Sequence, residues 1–285
     1  MTDENRSSGG ESERSKPGQG FPQDRERDLQ LWSAQKWSAV TPPMRPSPQE
    51  LAVYEKNLLW VNLADGATAL ILGATPELRS LALKHGLRTT GCDFDANFWQ
   101  AMTLLRTAEG PEEFLHADWL DLPEDRRYDA ILGDCSLNML TPERVAPFVQ
   151  KIHGLLHKDG ISIQRIQTAN KNLIMDDLAQ AVRSYRENNP GISLNLYLIF
   201  LAQSLRNLYH PEMTHRQFYE SIVFRYLTPE EIEGLRPFLI DRKMAYPRPQ
   251  DMTDLLEQFF KIVRVEKSSG PGLWDTAAVY VLKNK

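Results

Sequence analysis

Short apolar runs that alternate with helix signals occupy the middle of the chain and constrain its fold more than any other feature. The runs cover residues 67–72, 87–92, 113–116, 128–132 and 161–166. Helices with proline in their first turn are indicated between them, at Thr75-Pro76-Glu77 and Thr141-Pro142-Glu143. Because βαβ units make successive strands parallel and cover both sheet faces with helices, this alternation of strands and helices predicts a parallel α/β core.

Composition divides the whole chain into five predicted segments. They are a disordered tail (1–26), N-terminal helices with a proline strap (27–60), the α/β core (61–167), a helical insertion or lid (168–250) and strands that complete the sheet (251–285). The tail has too few apolar side chains to offset the entropy of ordering. In the strap, Pro43 to Pro48 favour an extended, rigid connection that leads into a capping box at Ser47-Pro48-Gln49-Glu50.

The overall composition sets limits on location and partners. With 41% apolar residues in 285 the chain can fill a sizeable core, and neither a membrane-spanning run nor a secretory signal is evident, so we expect a cytoplasmic protein. Cys92 and Cys135 follow different strands, which predicts two free thiols and no metal-ligand pair. A net charge of −5 argues against a nucleic-acid partner and favours a small or neutral substrate.

Small and acidic residues follow the first two strands. In open parallel sheets ligands bind beyond the carboxyl ends of the strands, so these positions are the informative ones. Gly73, Ala74 and Thr75 let a ligand approach the backbone at the start of a helix. Asp93 lies twenty residues after Gly73, the spacing at which an acid accepts hydrogen bonds from ribose hydroxyls. This pair predicts a nucleoside site.

The third and fourth strands are also followed by polar clusters. Asp118-Trp119 combines an acceptor for an exocyclic amine with an aromatic face for a base, which suits adenine. After the fourth strand come Asp134, Cys135 and Ser136, where a reacting group would lie. Singly, Asp93 and Asp118 are equally well explained as helix caps and Trp119 as a core aromatic. Their order across four successive strands favours an adenosine with an anionic end.

Charge distinguishes S-adenosylmethionine (SAM) from a dinucleotide as the predicted cofactor. A dinucleotide-binding loop needs two further glycines after the first, but this chain has Thr75 and Glu77 in that part of the loop. The Glu77 carboxylate would repel a diphosphate. SAM has no phosphate and carries a positive sulfonium, for which Asp134 is a favourable neighbour.

At this point the residues resemble a known family, the class I SAM-dependent methyltransferases. The resemblance is closer to a bacterial subgroup with a Leu-Gly-x-Thr-Pro-Glu-Leu loop, which here spans residues 72–78. It covers roughly residues 30–167 and implies a Rossmann-like α/β fold with a mostly parallel seven-stranded sheet. The helical insertion and the terminal antiparallel hairpin are predicted from the residue pattern after residue 167. It also implies the following cofactor-binding residues: Gly73, Ala74, Thr75, Asp93, Phe94, Asp118 and Trp119. Asp134 and Cys135, which follow the fourth strand, are further predicted cofactor contacts. SAM is then the cofactor and S-adenosylhomocysteine (SAH) the product.

The chain departs from the family pattern at the methionine end of the site. The family has an acidic residue two positions before the first glycine, where this chain has Ile71. Arg45 in the proline strap is a candidate partner for the cofactor carboxylate, although it is equally well explained as a solvated surface arginine.

The methyl acceptor is constrained more weakly than the cofactor. If a general base is needed, Asp134, His210 and His215 are the catalytic candidates, with capping or surface roles as the alternative for both histidines. The sequence favours transfer to O or N, and less readily to C, of a small-molecule acceptor by a monomer or homodimer, without nucleic acid or membrane. The alternatives are a protein or peptide methyltransferase, a SAM-binding regulatory subunit without catalysis, and more distantly a nucleotide-dependent oxidoreductase.

Overall fold

The computed structural model describes most of the chain after the N-terminal segment. The described residues are 31, 33–38, 40–42, 44–170, 172–188, 191–267 and 277–285. The predicted tail over 1–26 and the predicted turn before the last strand lie outside these residues.

Seven strands form one sheet at the centre of the fold. They are β1 (Thr68–Leu72), β2 (Arg88–Asp93), β3 (Glu112–His116), β4 (Tyr128–Asp134), β5 (Leu156–Gln167), β6 (Phe260–Lys267) and β7 (Ala277–Asn284). Their order is β3-β2-β1-β4-β5-β7-β6. The strands β1 to β5 pair in parallel, and β7 is antiparallel to both β5 and β6. The predicted fold class, a mostly parallel seven-stranded α/β sheet with a terminal antiparallel hairpin, is confirmed.

The described part of the chain from Pro48 onward contains nine α-helices. They are α1 (Pro48–Val61), α2 (Pro76–Lys84), α3 (Ala96–Thr103), α4 (Pro142–Leu155), α5 (Asp176–Asn188), α6 (Leu194–Tyr209), α7 (His215–Ser221), α8 (Pro229–Leu235) and α9 (Pro249–Phe259). The predicted capping box is present at the start of α1. Residues 33–38 form a further helical turn.

The two faces of the sheet are buried by different helices. Successive side chains of a strand point to opposite faces, so Leu70 packs with Phe148 of α4 and Leu256 of α9, whereas Ile71 packs with Tyr54 of α1 and other residues of α1 and α2. This double burial explains why the strands appear in the sequence as continuous apolar runs.

The start of β5 differs from the sequence prediction. We predicted an Asp159-Gly160 turn between a helix and a strand over 161–166, but the strand already begins at Leu156. Tyr128 pairs with Leu156 and Ala130 with Ile161, so residues 157–160 form an irregularity within the paired strands. A Cβ at Gly160 would lie 2.9 Å from the Asp129 carbonyl oxygen, which explains the glycine at this close approach.

Helices α5 to α8 lie between β5 and the final strands, as the predicted insertion does. Their buried side chains form a separate apolar cluster that includes Leu198, Leu205, Phe218 and Tyr219. Phe218 and Tyr219 are therefore part of the insertion's own apolar core. The segment boundaries stay a prediction.

Candidate functional site

Three of the predicted site residues meet at the carboxyl end of the sheet, where the strand order reverses between β1 and β4. Gly73 has φ +96°, a conformation that L side chains rarely adopt. A Cβ built there would lie 3.6 Å from Cζ2 of Trp119 and 3.8 Å from Oδ2 of Asp93. The glycine, the acid and the tryptophan therefore lie against one another in one group, which we call the cradle.

The cradle is held together by the carbonyl oxygen of Cys92. It accepts hydrogen bonds from the Gly73 N–H and from Trp119 Nε1, each at 2.8 Å. The Trp119 ring packs against Phe148 with ring centroids 5.6 Å apart, which fixes its plane. Burial and the charge of Asp93 raise the pKa of the Cys92 thiol to about 12, so this cysteine stays protonated. Cys92 and Cys135 are both free thiols, as predicted.

Asp93 is a buried carboxylate with a fixed orientation. Its Oδ1 accepts a hydrogen bond from the Asp95 N–H at 2.8 Å. Burial raises the pKa of Asp93, and hydrogen bonds from the backbone N–H groups of Asp95, Phe94 and Ala74 oppose that shift. A buried acceptor at the end of β2 is the geometry that ribose recognition requires.

A cavity of about 190 Å³ opens beside the cradle. It is lined by Phe94, Ala117, Asp118, Trp119, Met139, Leu140, Arg144 and Arg242. Phe94, of which 63% is exposed, and Trp119 are the aromatic residues among these. Since complete ligand sites commonly occupy about 300–1,000 Å³, this volume suits one ring system of a larger ligand.

Asp118 is already engaged on one oxygen. Its Oδ1 accepts hydrogen bonds from Arg144 Nη2 at 2.6 Å and from the Leu120 N–H at 3.0 Å. Partial burial acts to raise the pKa of Asp118, but the hydrogen bonds from Arg144 and Leu120 outweigh it and lower the pKa. The carboxylate therefore stays ionised at the cavity wall, and any amine bound there shares it with Arg144.

Asp134 lies in a buried ion pair rather than at an open reaction centre. Its Oδ1 is 2.5 Å from Nε of Arg165, whose Nη1 is 3.2 Å from Oε1 of Glu50. The three side chains are 4%, 0% and 3% exposed, respectively. Burial raises the pKa of Asp134, and the charge of Arg165 opposes the shift. Cys135 adopts φ +53°, and burial raises its thiol pKa strongly.

The candidate histidines lie in the insertion. His215 is buried, and its Nδ1 accepts the Ile240 N–H at 3.1 Å, so the ring proton belongs on Nε2. Burial, with the charges of Arg206 and Arg216, lowers the pKa of His215 to about 4. The ring is thus neutral and a hydrogen-bond donor. His210 ends α6 with Nδ1 3.5 Å from Glu212 Oε1.

None of the three predicted bases lines the cavity beside Trp119. Asp134 is tied to Arg165, and Nε2 of His215 already carries a proton. The geometry therefore offers no support for general-base catalysis by Asp134 or His215.

Arg45 contacts the first turn of α2. Its Nη2 is 2.6 Å from Oε1 of Glu77, which also lies 3.4 Å from Nε1 of Trp37. Thr75 is the N-cap residue of α2, and Ala74 packs with Trp99 in a small apolar cluster. The strap thus lies against the loop that follows β1.

Several cavity residues were not predicted from the sequence. Arg144 follows the recognised helix start at Thr141-Pro142-Glu143, so its position in the first turn of α4 was the available signal. Arg242 lies more than a hundred residues from the cradle, and no local pattern distinguishes it. Burial lowers the pKa of Arg242.

Comparison with solved structures defines the fold. No protein-family model matches the chain, and no curated protein matches it. A SAM-dependent methyltransferase from Clostridium acetobutylicum aligns over 92% of this chain and 99% of its own, with 11% identity and a TM-score of 0.53. The 1,6-didemethyltoxoflavin-N1-methyltransferase of Burkholderia thailandensis aligns over 95% and 93%, with 12% identity and a TM-score of 0.50. The Rossmann-like fold is therefore one that these SAM-dependent methyltransferases share with this chain.

A third similar structure carries a different name. A Rhodobacter sphaeroides protein provisionally named as a Zn-dependent alcohol dehydrogenase aligns over 93% of this chain and 100% of its own, with 16% identity and a TM-score of 0.61. At these identities the likenesses define the fold and not the activity. Among the described residues no group of three or more His, Cys, Asp or Glu side chains is placed to hold a metal ion. None of the described helices is long and apolar enough to cross a membrane.

Proposed function

We propose that this protein is a methyltransferase that uses SAM and releases SAH. The observation that carries the proposal is the cradle of Gly73, Asp93 and Trp119 at the point where the strand order reverses. The three cradle residues lie at or just after the carboxyl ends of three different strands, and each offers a group that an adenosine needs.

The residues present fit an adenosine without a diphosphate. Any side chain at Gly73 would fill the space between Trp119 and Asp93, so the position is kept open for a ligand. Asp93 would accept the ribose hydroxyls, and the base would lie in the cavity between Phe94 and Trp119, with Asp118 at its amine. At the start of α2 the Glu77 carboxylate occupies the region where a diphosphate would bind, which favours SAM over a dinucleotide.

The chain's contribution to methyl transfer would be alignment. SAM supplies a methyl group that its positive sulfonium already activates. The walls of the site then have to hold the acceptor atom about 3–3.5 Å from that methyl group. Because Asp134 is in an ion pair and His215 is a donor, we infer an acceptor that has a lone pair available without a protein base. A neutral amine or an already ionised oxygen meets that requirement, and a carbon acceptor meets it less readily.

A small molecule is the acceptor class that we propose. The Burkholderia protein of similar fold is named as a 1,6-didemethyltoxoflavin-N1-methyltransferase, and its structure contains 1,6-didemethyltoxoflavin and SAH. The net charge of −5 gives no support to a nucleic-acid acceptor. The chain would act as a monomer or homodimer. A protein or peptide acceptor, or SAM binding without catalysis, remains the alternative.

Isothermal titration of the purified protein with SAM, SAH and NAD(P) tests the proposal. We expect micromolar binding of SAM and SAH and none of NAD(P). Asp93→Asn keeps the shape of the side chain but removes its charge, and should weaken SAH binding at least about tenfold, because hydrogen bonds to charged groups contribute about 1.5–3 kcal/mol. Asp125→Asn, at an exposed acid outside the cradle, is the matched control. Binding of NAD(P) in place of SAH would overturn the proposal.

A further inference from the structure

A second cavity lies at the opposite end of the sheet from the cradle. It has a volume of about 450 Å³, and its wall includes the first residues of β1 to β4, which are Thr68, Arg88, Glu112 and Tyr128. We call it the amino-end cavity. Strand β1 is five residues long, so about 15 Å of sheet separates this cavity from the carboxyl ends where the cradle lies. A small ligand in the amino-end cavity would therefore be separate from a ligand in the cradle.

Two arginines in the wall of the amino-end cavity have no carboxylate partner. The wall contains Arg88, Arg126 and Arg127. The side chain of Arg88 makes no hydrogen bond or ion pair among the described residues. Arg127 Nη1 donates to the backbone carbonyl oxygens of Glu124 and Arg126, at 2.6 and 2.7 Å, and makes no ion pair in the described part of the chain. Two positive charges at this cavity thus lack an opposite charge.

The two acidic residues in the wall are already paired with other arginines. Oε2 of Glu112 lies 2.7 Å from Arg79 Nη2 and 2.6 Å from Arg106 Nη1, and neither of these arginines lines the cavity. Glu113 pairs with Arg126 at 2.7 Å, with side chains that are 49% and 38% exposed. Because so exposed a pair contributes little to stability, Arg126 can turn toward a ligand at low cost. The cavity as a whole therefore favours negative charge.

Tyr128 adds a buried hydroxyl without a partner. The residue is 4% exposed and packs in the apolar core, and its hydroxyl makes no hydrogen bond among the described residues. Arg126 lies near it, since Glu113 and, less strongly, Tyr128 raise the pKa of Arg126, but the two side chains do not reach hydrogen-bond geometry. Native structures rarely leave such a group without a reason, because a buried donor without an acceptor is costly. An anion beside Arg126 would supply the acceptor.

We propose that the amino-end cavity binds a small anion with two or more negative charges, of the kind found in pyrophosphate or a polycarboxylate. Arg88 and Arg127 would each pair with one charge, since a guanidinium group matches the oxygens of phosphate and carboxylate groups. The hydroxyl of Tyr128 would donate to the same ligand. The volume is within the range of about 300–1,000 Å³ of small-molecule sites. The inference does not depend on the proposed function, because it concerns the opposite end of the sheet.

Isothermal titration with inorganic pyrophosphate and with citrate, at a fixed physiological ionic strength, tests the proposal. We expect wild type to bind at least one of the two. Arg88→Gln and Arg127→Gln should each weaken that binding at least about tenfold, because each removes a charged hydrogen-bond donor. Arg183→Gln is the matched control and should leave it unchanged. Arg183 is an exposed arginine of α5 whose side chain also has no partner among the described residues.

Tyr128→Phe separates a ligand contact from a structural role. In the unliganded protein the substitution removes no hydrogen bond, so the variant should unfold in urea at or above the wild-type midpoint. It should nevertheless bind the anion at least about tenfold more weakly than wild type. A hydroxyl with only a structural role would give the opposite pair of results, a lower midpoint and unchanged anion affinity.

The outcomes decide the proposal without reference to SAM. Binding of pyrophosphate alone would support it and limit the ligand to phosphates, and binding of citrate alone would support it and limit the ligand to carboxylates. If wild type binds neither, the proposal is wrong. It is also wrong if Arg183→Gln weakens binding as much as Arg88→Gln does, because net charge and not this cavity would then control affinity. Wild-type anion affinity in Tyr128→Phe would overturn the assignment of the hydroxyl. SAH affinity, which tests the proposed function, should be the same in all four variants.

Discussion

Gly73→Ala tests whether the cradle is a ligand site. With φ +96° at this position, an alanine costs about 1–2 kcal/mol of folding free energy from backbone strain alone. Its Cβ would meet Trp119 at 3.6 Å and Asp93 at 3.8 Å, which are ordinary contacts, so the unliganded protein accommodates the methyl group. A ligand in the cradle does not, and crowding of about 1–3 kcal/mol corresponds to about 5–150-fold weaker SAH binding.

Gly86→Ala is the matched control for this substitution. Gly86 also has positive φ, at +68°, but no atom lies within 4 Å of a Cβ built there. We expect both variants to lose about 1–2 kcal/mol in urea unfolding, and only Gly73→Ala to lose SAH affinity in isothermal titration. Wild-type SAH affinity in Gly73→Ala would refute the placement of the ligand in the cradle. An equal loss of affinity in Gly86→Ala would show that stability, not contact, controls binding.

Three further substitutions test the packing around the site. Tyr54→Phe removes a buried hydroxyl that donates to the Gly133 carbonyl oxygen at 2.7 Å and accepts from the Arg165 N–H at 2.9 Å. Its loss should lower the free energy of unfolding in urea by about 2–4 kcal/mol. Gly91→Ala places a methyl group into the buried Trp99 ring, so we expect loss of about 3 kcal/mol or more, or failure to accumulate folded protein. The pKa of His215 is about 4 in the folded state against an ordinary 6.5, so the unfolded chain takes up the proton at a higher pH than the folded chain does. The free energy of unfolding should therefore be at its full value above about pH 6.5 and fall by up to about 3 kcal/mol toward pH 4. In His215→Asn, this decrease between pH 7 and pH 5 should be absent when unfolding is measured at both values.

The cradle was predictable from the sequence because each of its residues lies at the carboxyl end of its own strand or within three residues of it. An apolar run identifies the strand, and the residues at its end and just after it lie at the carboxyl edge of the sheet. Parallel pairing then brings Gly73, Asp93 and Trp119 to one edge without any knowledge of side-chain packing. Local pattern and a single topological rule are sufficient for residues of this kind.

The role of Asp134 was harder to predict because it depends on a partner 31 residues away. As a polar residue after β4, it was interpreted as lying at a reaction centre. Its partner Arg165 lies within the run that we assigned as a buried strand, and an arginine inside such a strand was the available signal for a buried ion pair. The roles of Glu50 and Arg242 depend on how their segments pack against the core, and the apolar pattern within each segment does not predict that packing.

Contact energies indicate which end of the strap separates from the core more readily. The strap is fastened by the Arg45–Glu77 pair, whose side chains are 29% and 12% exposed, and by the fully buried contact of Glu50 with Arg165. Breaking a buried pair by removing one partner costs about 3–5 kcal/mol, whereas partly exposed pairs contribute about 0–1 kcal/mol. Breaking the Arg45–Glu77 contact therefore costs several kcal/mol less than breaking the contact of Glu50 with Arg165. That movement takes the strap away from the loop that follows β1, while the contact of Glu50 with Arg165 keeps the other end of the strap in place.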